Sequence, residues 1–75
     1  MKEINLALIK KRRKEMRITL QDMAIYLGFK NASNYYKYES GKYRFNAEHL
    51  PLIADKLKLK MNEIFFIHNF AKIAK

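Results

Sequence analysis

Asn31-Ala32-Ser33-Asn34-Tyr35-Tyr36-Lys37-Tyr38-Glu39-Ser40-Gly41-Lys42 is the stretch on which the reading of this chain turns. Asparagine is a favoured helix N-cap, because its side-chain oxygen accepts a backbone N–H of the first turn. Glycine tolerates the left-handed conformation in which helices commonly end. The stretch therefore reads as one short helix, opened by Asn31 and capped by Gly41. Ala32, Tyr35 and Tyr38 fall at spacings of three and form its inward face. Ser33, Asn34, Tyr36 and Lys37 are left outward, a set suited to base edges and phosphates.

The residues just before it repeat the pattern. Thr19 is a good N-cap, and Asp22 suits the positive end of a helix. Leu20, Met23, Ala24 and Leu27 then give an apolar stripe, and Gly28 ends it. Only Gly28 to Asn31 separate the two helices, a turn of the helix-turn-helix kind.

Helical periodicity extends both ways. A first helix is expected from about Glu3 to about Met16, with Leu6, Ile9, Arg13 and Met16 on one face. The arginine in that stripe demands a partner. A fourth helix is expected after Asn46, with Leu50, Ile53, Ala54 and Leu57 inward. Pro51 is harmless there only in the first turn, which puts the start near Ala47 or Glu48. A short fifth helix is expected with Ile64 and Phe65 inward. Phe66 to Lys75 keeps Ile67, Phe70, Ile73 and Ala74 at helical spacing, as an amphipathic tail that packs on the core or makes a dimer. No two-residue alternation is sustained beyond Lys56 to Lys60, so the expected class is an all-α bundle.

Composition sets the outer bounds. At 75 residues the chain is one domain with a small core, divided here into residues 1–66 and a tail, 67–75. It has no cysteine, which removes disulfides and cysteine zinc sites and suits a reducing, cytoplasmic setting. No apolar run reaches the ~20 residues of a membrane helix, and the N-terminus is unlike a signal peptide. The formal net charge of +9 favours a polyanion partner. His49 and His68 stand far apart and read as ordinary histidines. No catalytic arrangement, metal site or cofactor site is visible, and an enzyme is not expected.

With these elements in place the chain resembles a family. Ile9 to Arg13, Thr19 to Ala24, Leu27-Gly28, Tyr38 to Lys42, Leu50 to Ala54, Leu57 and Ile64-Phe65 follow the order and spacing of the Cro/phage-repressor, or XRE-like, helix-turn-helix proteins. The resemblance covers about Leu6 to Phe66. It implies a five-helix, lambda-repressor-like bundle, here with a C-terminal amphipathic extension, whose third helix lies in the major groove. It implies base contacts from Ala32, Ser33, Asn34 and Lys37, with Asn31 and Tyr36 close by. It also implies a structural ion pair between Arg13 and Glu39. The chain departs from the family pattern at Leu20, where glutamine is common and touches a phosphate; Gln21 is the substitute. The turn before the third helix is one residue longer than in the shortest members. Phe45 replaces a common proline, and Lys60 a small N-cap.

Each candidate has a plainer role beside its functional one. Ser33 and Asn34 either read bases or solvate the helix end. Lys37 reaches guanine, touches a phosphate, or is simply solvated. Tyr36 packs on a thymine methyl or sugar, or bonds a phosphate. Lys42, Tyr43 and Arg44 lie where a loop approaches the DNA backbone, as do Arg17, Thr19, Gln21 and Asn31. Lys10, Lys11, Arg12 and Lys14 mostly add long-range attraction.

The reading is a sequence-specific transcriptional regulator, Cro-like repressor or controller, binding double-stranded DNA as a homodimer on a palindromic operator. With the chain ending so soon after its fold, no small-molecule effector and no membrane partner are expected. The alternatives are a protein-interaction module of the antitoxin-partner type, with DNA binding secondary, and nonspecific nucleic-acid binding.

Overall fold

The computed structural model describes residues 2–67, with side chains for residues 3–65. Six elements follow in order: β1 (Lys2–Ile4), α1 (Leu6–Glu15), α2 (Leu20–Leu27), α3 (Ala32–Glu39), α4 (His49–Leu57) and β2 (Phe65–Ile67). A single 3-10 turn, Met61–Glu63, precedes β2.

Each of the first three helices starts on a side chain that satisfies an end N–H. The Asn5 Oδ1 accepts the Leu8 N–H at 3.1 Å, and the Asn31 Oδ1 accepts the Asn34 N–H at 2.8 Å. Thr19 and Asp22 form a reciprocal capping box at 3.0 and 3.2 Å. The Thr19 backbone N–H, and after it the Thr19 side chain, hold the Asp22 carboxyl below the usual carboxylate range. The fourth helix lacks such a cap. Asn46, expected to supply one, instead donates its N–H to the His49 Nδ1 at 3.1 Å. A tight turn therefore precedes α4, and Pro51 falls in its first turn, where its missing N–H removes nothing.

All four helices end alike. A residue one or two places past the helix lies in the left-handed region, and the next N–H reaches back to a carbonyl near the helix end. Gly28 (φ +82°) and Gly41 (φ +91°) serve at α2 and α3, with Gly41 one residue beyond the Ser40 cap. Arg17 (φ +58°) and Lys58 (φ +55°) serve at α1 and α4. A side chain in that region costs roughly 1 kcal/mol. Lys58→Gly is therefore expected to stabilise the fold by about 0.5–1 kcal/mol. Thermal unfolding checks it; an unchanged or lower Tm means the lysine side chain contributes something glycine loses.

Ile9, Met23, Tyr35, Ile53, Leu57 and Ile64 are fully buried, drawn from all four helices and the segment before β2. Arg12 donates from Nε to the Leu57 carbonyl at 2.9 Å, and Tyr26 bonds Asp55 at 2.7 Å. These links set α4 across the backs of α1 and α2. Among the described residues no helix is long and apolar enough to cross a membrane.

Three expectations are corrected. Glu3 and Ile4 do not begin the first helix: they form a strand, and Asn5 caps the helix behind them. The fifth helix is only the 3-10 turn; Ile64 is buried as expected, but Phe65 continues into β2. Phe66 and Ile67, expected to open a tail helix, belong to that strand, and the remainder of the tail with His68 lies outside the described residues. β1 and β2 pair antiparallel in the register Lys2↔Ile67, Glu3↔Phe66 and Ile4↔Phe65. The bundle is thus four helices plus a two-stranded ribbon.

Candidate nucleic-acid interface

The candidate face begins in the turn between α2 and α3. Phe29 anchors that turn by stacking on Tyr38, with ring centroids 4.6 Å apart. It also lies 4.9 Å from the His49 ring. Phe29 therefore pins the turn against α3 and the start of α4.

From below, α3 is held by a buried charge pair. Glu39 accepts from the Arg13 Nε at 2.8 Å, from Arg13 Nη2 at 3.1 Å and from the Tyr35 hydroxyl at 2.8 Å. Arg13 Nη1 donates to the Ile18 carbonyl at 2.9 Å. Burial, then the Glu39 charge, pushes the Tyr35 hydroxyl far above the ordinary tyrosine range, so it stays a donor. One network thus ties α1, the α1–α2 turn and α3 together. Gly41 adds a close approach, since a Cβ there would stand 3.3 Å from Leu6.

With Tyr35 and Glu39 buried, α3 presents Ser33 and Tyr36 exposed, and Ala32, Asn34 and Lys37 half-buried. These are the five residues expected at base edges, and they share one helix. Lys37 is not a free-swinging cation. Its ammonium lies 5.9 Å from the centre of the Tyr43 ring. Its carbonyl accepts the N–H groups of Lys42 at 2.9 Å and Tyr43 at 3.1 Å. Tyr43 in turn meets Tyr38 edge-on at 5.6 Å. The loop Lys42–Arg44 is therefore folded back onto the outward face of α3.

The expected backbone contacts divide. Lys42, Tyr43 and Arg44 are exposed on that loop. Thr19 and Gln21 are exposed at the start of α2, with the Thr19 hydroxyl already engaged as a cap. Arg17 is exposed in the turn before them. Asn31 has its side-chain oxygen committed to the α3 cap, which leaves its amide nitrogen as the donor end. Two cations outside the expected set flank α3. Lys30 is exposed in the turn, and Lys10 lines a cleft with Tyr36 and Ser40. Lys10 and Lys14 fall one turn apart on α1, but the packing angle that brings Lys10 to Tyr36 is not written in that spacing.

Charge completes the face. From Lys30 to Ala47 the sole acid is Glu39, and it is buried against Arg13. Lys30, Lys37, Lys42 and Arg44 occupy the same span with no exposed carboxylate among them.

Two short helices at a tight turn, the second capped, anchored and cationic on its outer side, define a helix-turn-helix DNA-binding domain. A family model described as helix-turn-helix matches residues 9–64. The chain belongs to that family, the XRE-type DNA-binding transcription regulators. None of the curated proteins matches the chain in sequence.

Proposed function

We propose that the protein is a sequence-specific repressor or controller that places α3 in the major groove and works as a homodimer on a palindromic operator. The observation that carries this reading is the span from Lys30 to Ala47, which exposes no carboxylate, around an α3 seated on the buried Arg13–Glu39 pair. Ser33, Asn34, Lys37, Ala32 and Tyr36 meet base edges. Lys42, Tyr43, Arg44, Arg17, Gln21, Thr19 and Asn31 meet the backbone. A single eight-residue helix reads few base pairs, so two copies one DNA turn apart supply the specificity.

Selection from random duplexes tests it. The expected product is a two-fold motif with half-sites about 34 Å apart, centre to centre. No enriched motif, or an unpaired one, overturns the palindromic reading. On the selected duplex, Lys42→Gln and Arg44→Gln should each lower the slope of log K against log salt by about 0.9 per protomer contact, without changing the motif. A changed motif would place these residues at bases instead.

A further inference from the structure

A groove of about 600 Å³ runs between the Glu3–Leu6 segment and the loop from Gly41 to Phe45. Small-molecule sites commonly span ~300–1,000 Å³. Leu6, Phe45, Leu50 and Phe65 give it an apolar floor. Lys42 and Arg44 stand along it, and Glu3 is the sole acid of its lining, so its edge carries net positive charge.

We propose that this groove binds an organic anion with an apolar body, such as a medium-chain or aryl carboxylate, and that such binding excludes DNA from Lys42 and Arg44. The second half rests on the reading of the Lys42–Arg44 loop as a DNA-backbone contact. The head group lies against the two cations and the body covers the floor. A bare inorganic anion gains nothing from the floor. A neutral apolar molecule leaves the cations unmatched. A second copy of this chain would bring like charge to the same edge, which opposes it. An amphipathic anion satisfies both halves of the lining at once.

The groove also abuts the reading helix. Tyr43 lines it, and the same ring lies beneath the Lys37 ammonium. The N–H groups of Lys42 and Tyr43 bond the Lys37 carbonyl, so the wall of the groove is hydrogen-bonded to α3. A ligand there meets the protein where DNA does. A ligand in this groove would be an effector, which sequence alone does not lead one to expect.

The test uses the 15N-labelled 75-residue protein and decanoate below its micelle concentration. Amide shifts should saturate and centre on residues 41–45, 3–6 and 64–65. Across hexanoate, octanoate and decanoate, affinity should rise roughly fourfold per buried methylene until the floor is filled. Decanamide should bind at least tenfold more weakly, as should decanoate to the Lys42→Gln/Arg44→Gln double variant, while Lys11→Gln binds normally. No saturable shift, equal binding of decanamide, or shifts centred elsewhere overturns the site. DNA binding is read separately by anisotropy of the selected duplex, with acetate as the ionic-strength control. At ten times its own Kd, decanoate should raise the apparent duplex Kd about elevenfold, the value for full competition. Saturable binding with an unchanged duplex Kd overturns the exclusion and keeps the groove. Failure to bind any duplex, with decanoate still bound, overturns the DNA reading alone.

Discussion

Glu39→Gln is expected to destabilise the protein by about 3–5 kcal/mol, enough to unfold much of a domain this small at ordinary temperature. The amide keeps the shape of the carboxylate and loses its charge. Arg13 is then a buried guanidinium with no counter-charge, and an amide cannot accept from the Arg13 fork and the Tyr35 hydroxyl as two carboxylate oxygens do. At about 4–8 °C of Tm per kcal/mol, the fall should be at least about 12 °C. Two companion variants separate the causes. Tyr35→Phe removes one donor and leaves the ion pair, so its cost should stay within about 1.5–3 kcal/mol. Arg13→Met with Glu39→Leu removes both charges and should recover most of the loss in Glu39→Gln, because a matched apolar pair carries no desolvation penalty. If Glu39→Gln leaves the melting temperature unchanged, the pair contributes nothing to stability and the attachment of α3 lies in its aromatic contacts. If the double variant is no better than the single one, hydrogen-bond geometry rather than charge is what the site supplies.

The second large effect concerns reading. Lys37→Ala and Asn34→Ala are expected to weaken binding to the selected duplex by about 1–3 kcal/mol per protomer contact and to relax the base preference each one sets. In a two-fold complex each substitution acts twice, so the loss approaches double. Lys37 should show the larger effect. Its seat over Tyr43 confines an otherwise flexible ammonium, so less freedom is lost on binding than for a solvated lysine. Neither residue anchors the core, so the variants should fold normally and thermal melting serves as the control. Repeating the selection with each variant gives the decisive readout. A weaker protein with the same motif makes the residue a phosphate contact; an unchanged affinity and motif removes it from the interface. Both variants unchanged would end the assignment of specificity to α3.

The four helices were legible because their stripes and caps are local. Thr19 with Asp22, Asn31, Gly28 and Gly41 mark ends within a few residues of the positions they control. The ribbon was not legible for the opposite reason. Three residues are too few for alternation to show, and the partner of Ile4 is Phe65, almost the whole chain away. The start of α4 was blurred because a histidine ring, not an asparagine, occupies the Asn46 N–H. An arginine within an apolar stripe announces that it needs a counter-charge, but the stripe does not say which acid answers. Glu39 came from the resemblance. In the candidate site, helical arithmetic separates the outward Ser33, Tyr36 and Lys37 from the inward Tyr35. It cannot tell that Tyr43 folds back under Lys37, or that Lys10 meets Tyr36 across a cleft, since both depend on how non-adjacent segments pack.

The ribbon has a consequence for the order in which the molecule assembles. Contacts such as those of α2 with α3 join residues near in sequence and cost little chain entropy to form. Pairing β1 with β2 closes a loop that contains every helix, and that entropy is recovered only once the helices have already drawn the two segments together. The ribbon is therefore a late clasp, with a few strand hydrogen bonds resting on a bundle built without it. Its opening is local, and amide protons in β1 should exchange ahead of those in α2 and α3 while the DNA-facing pair of helices stays closed.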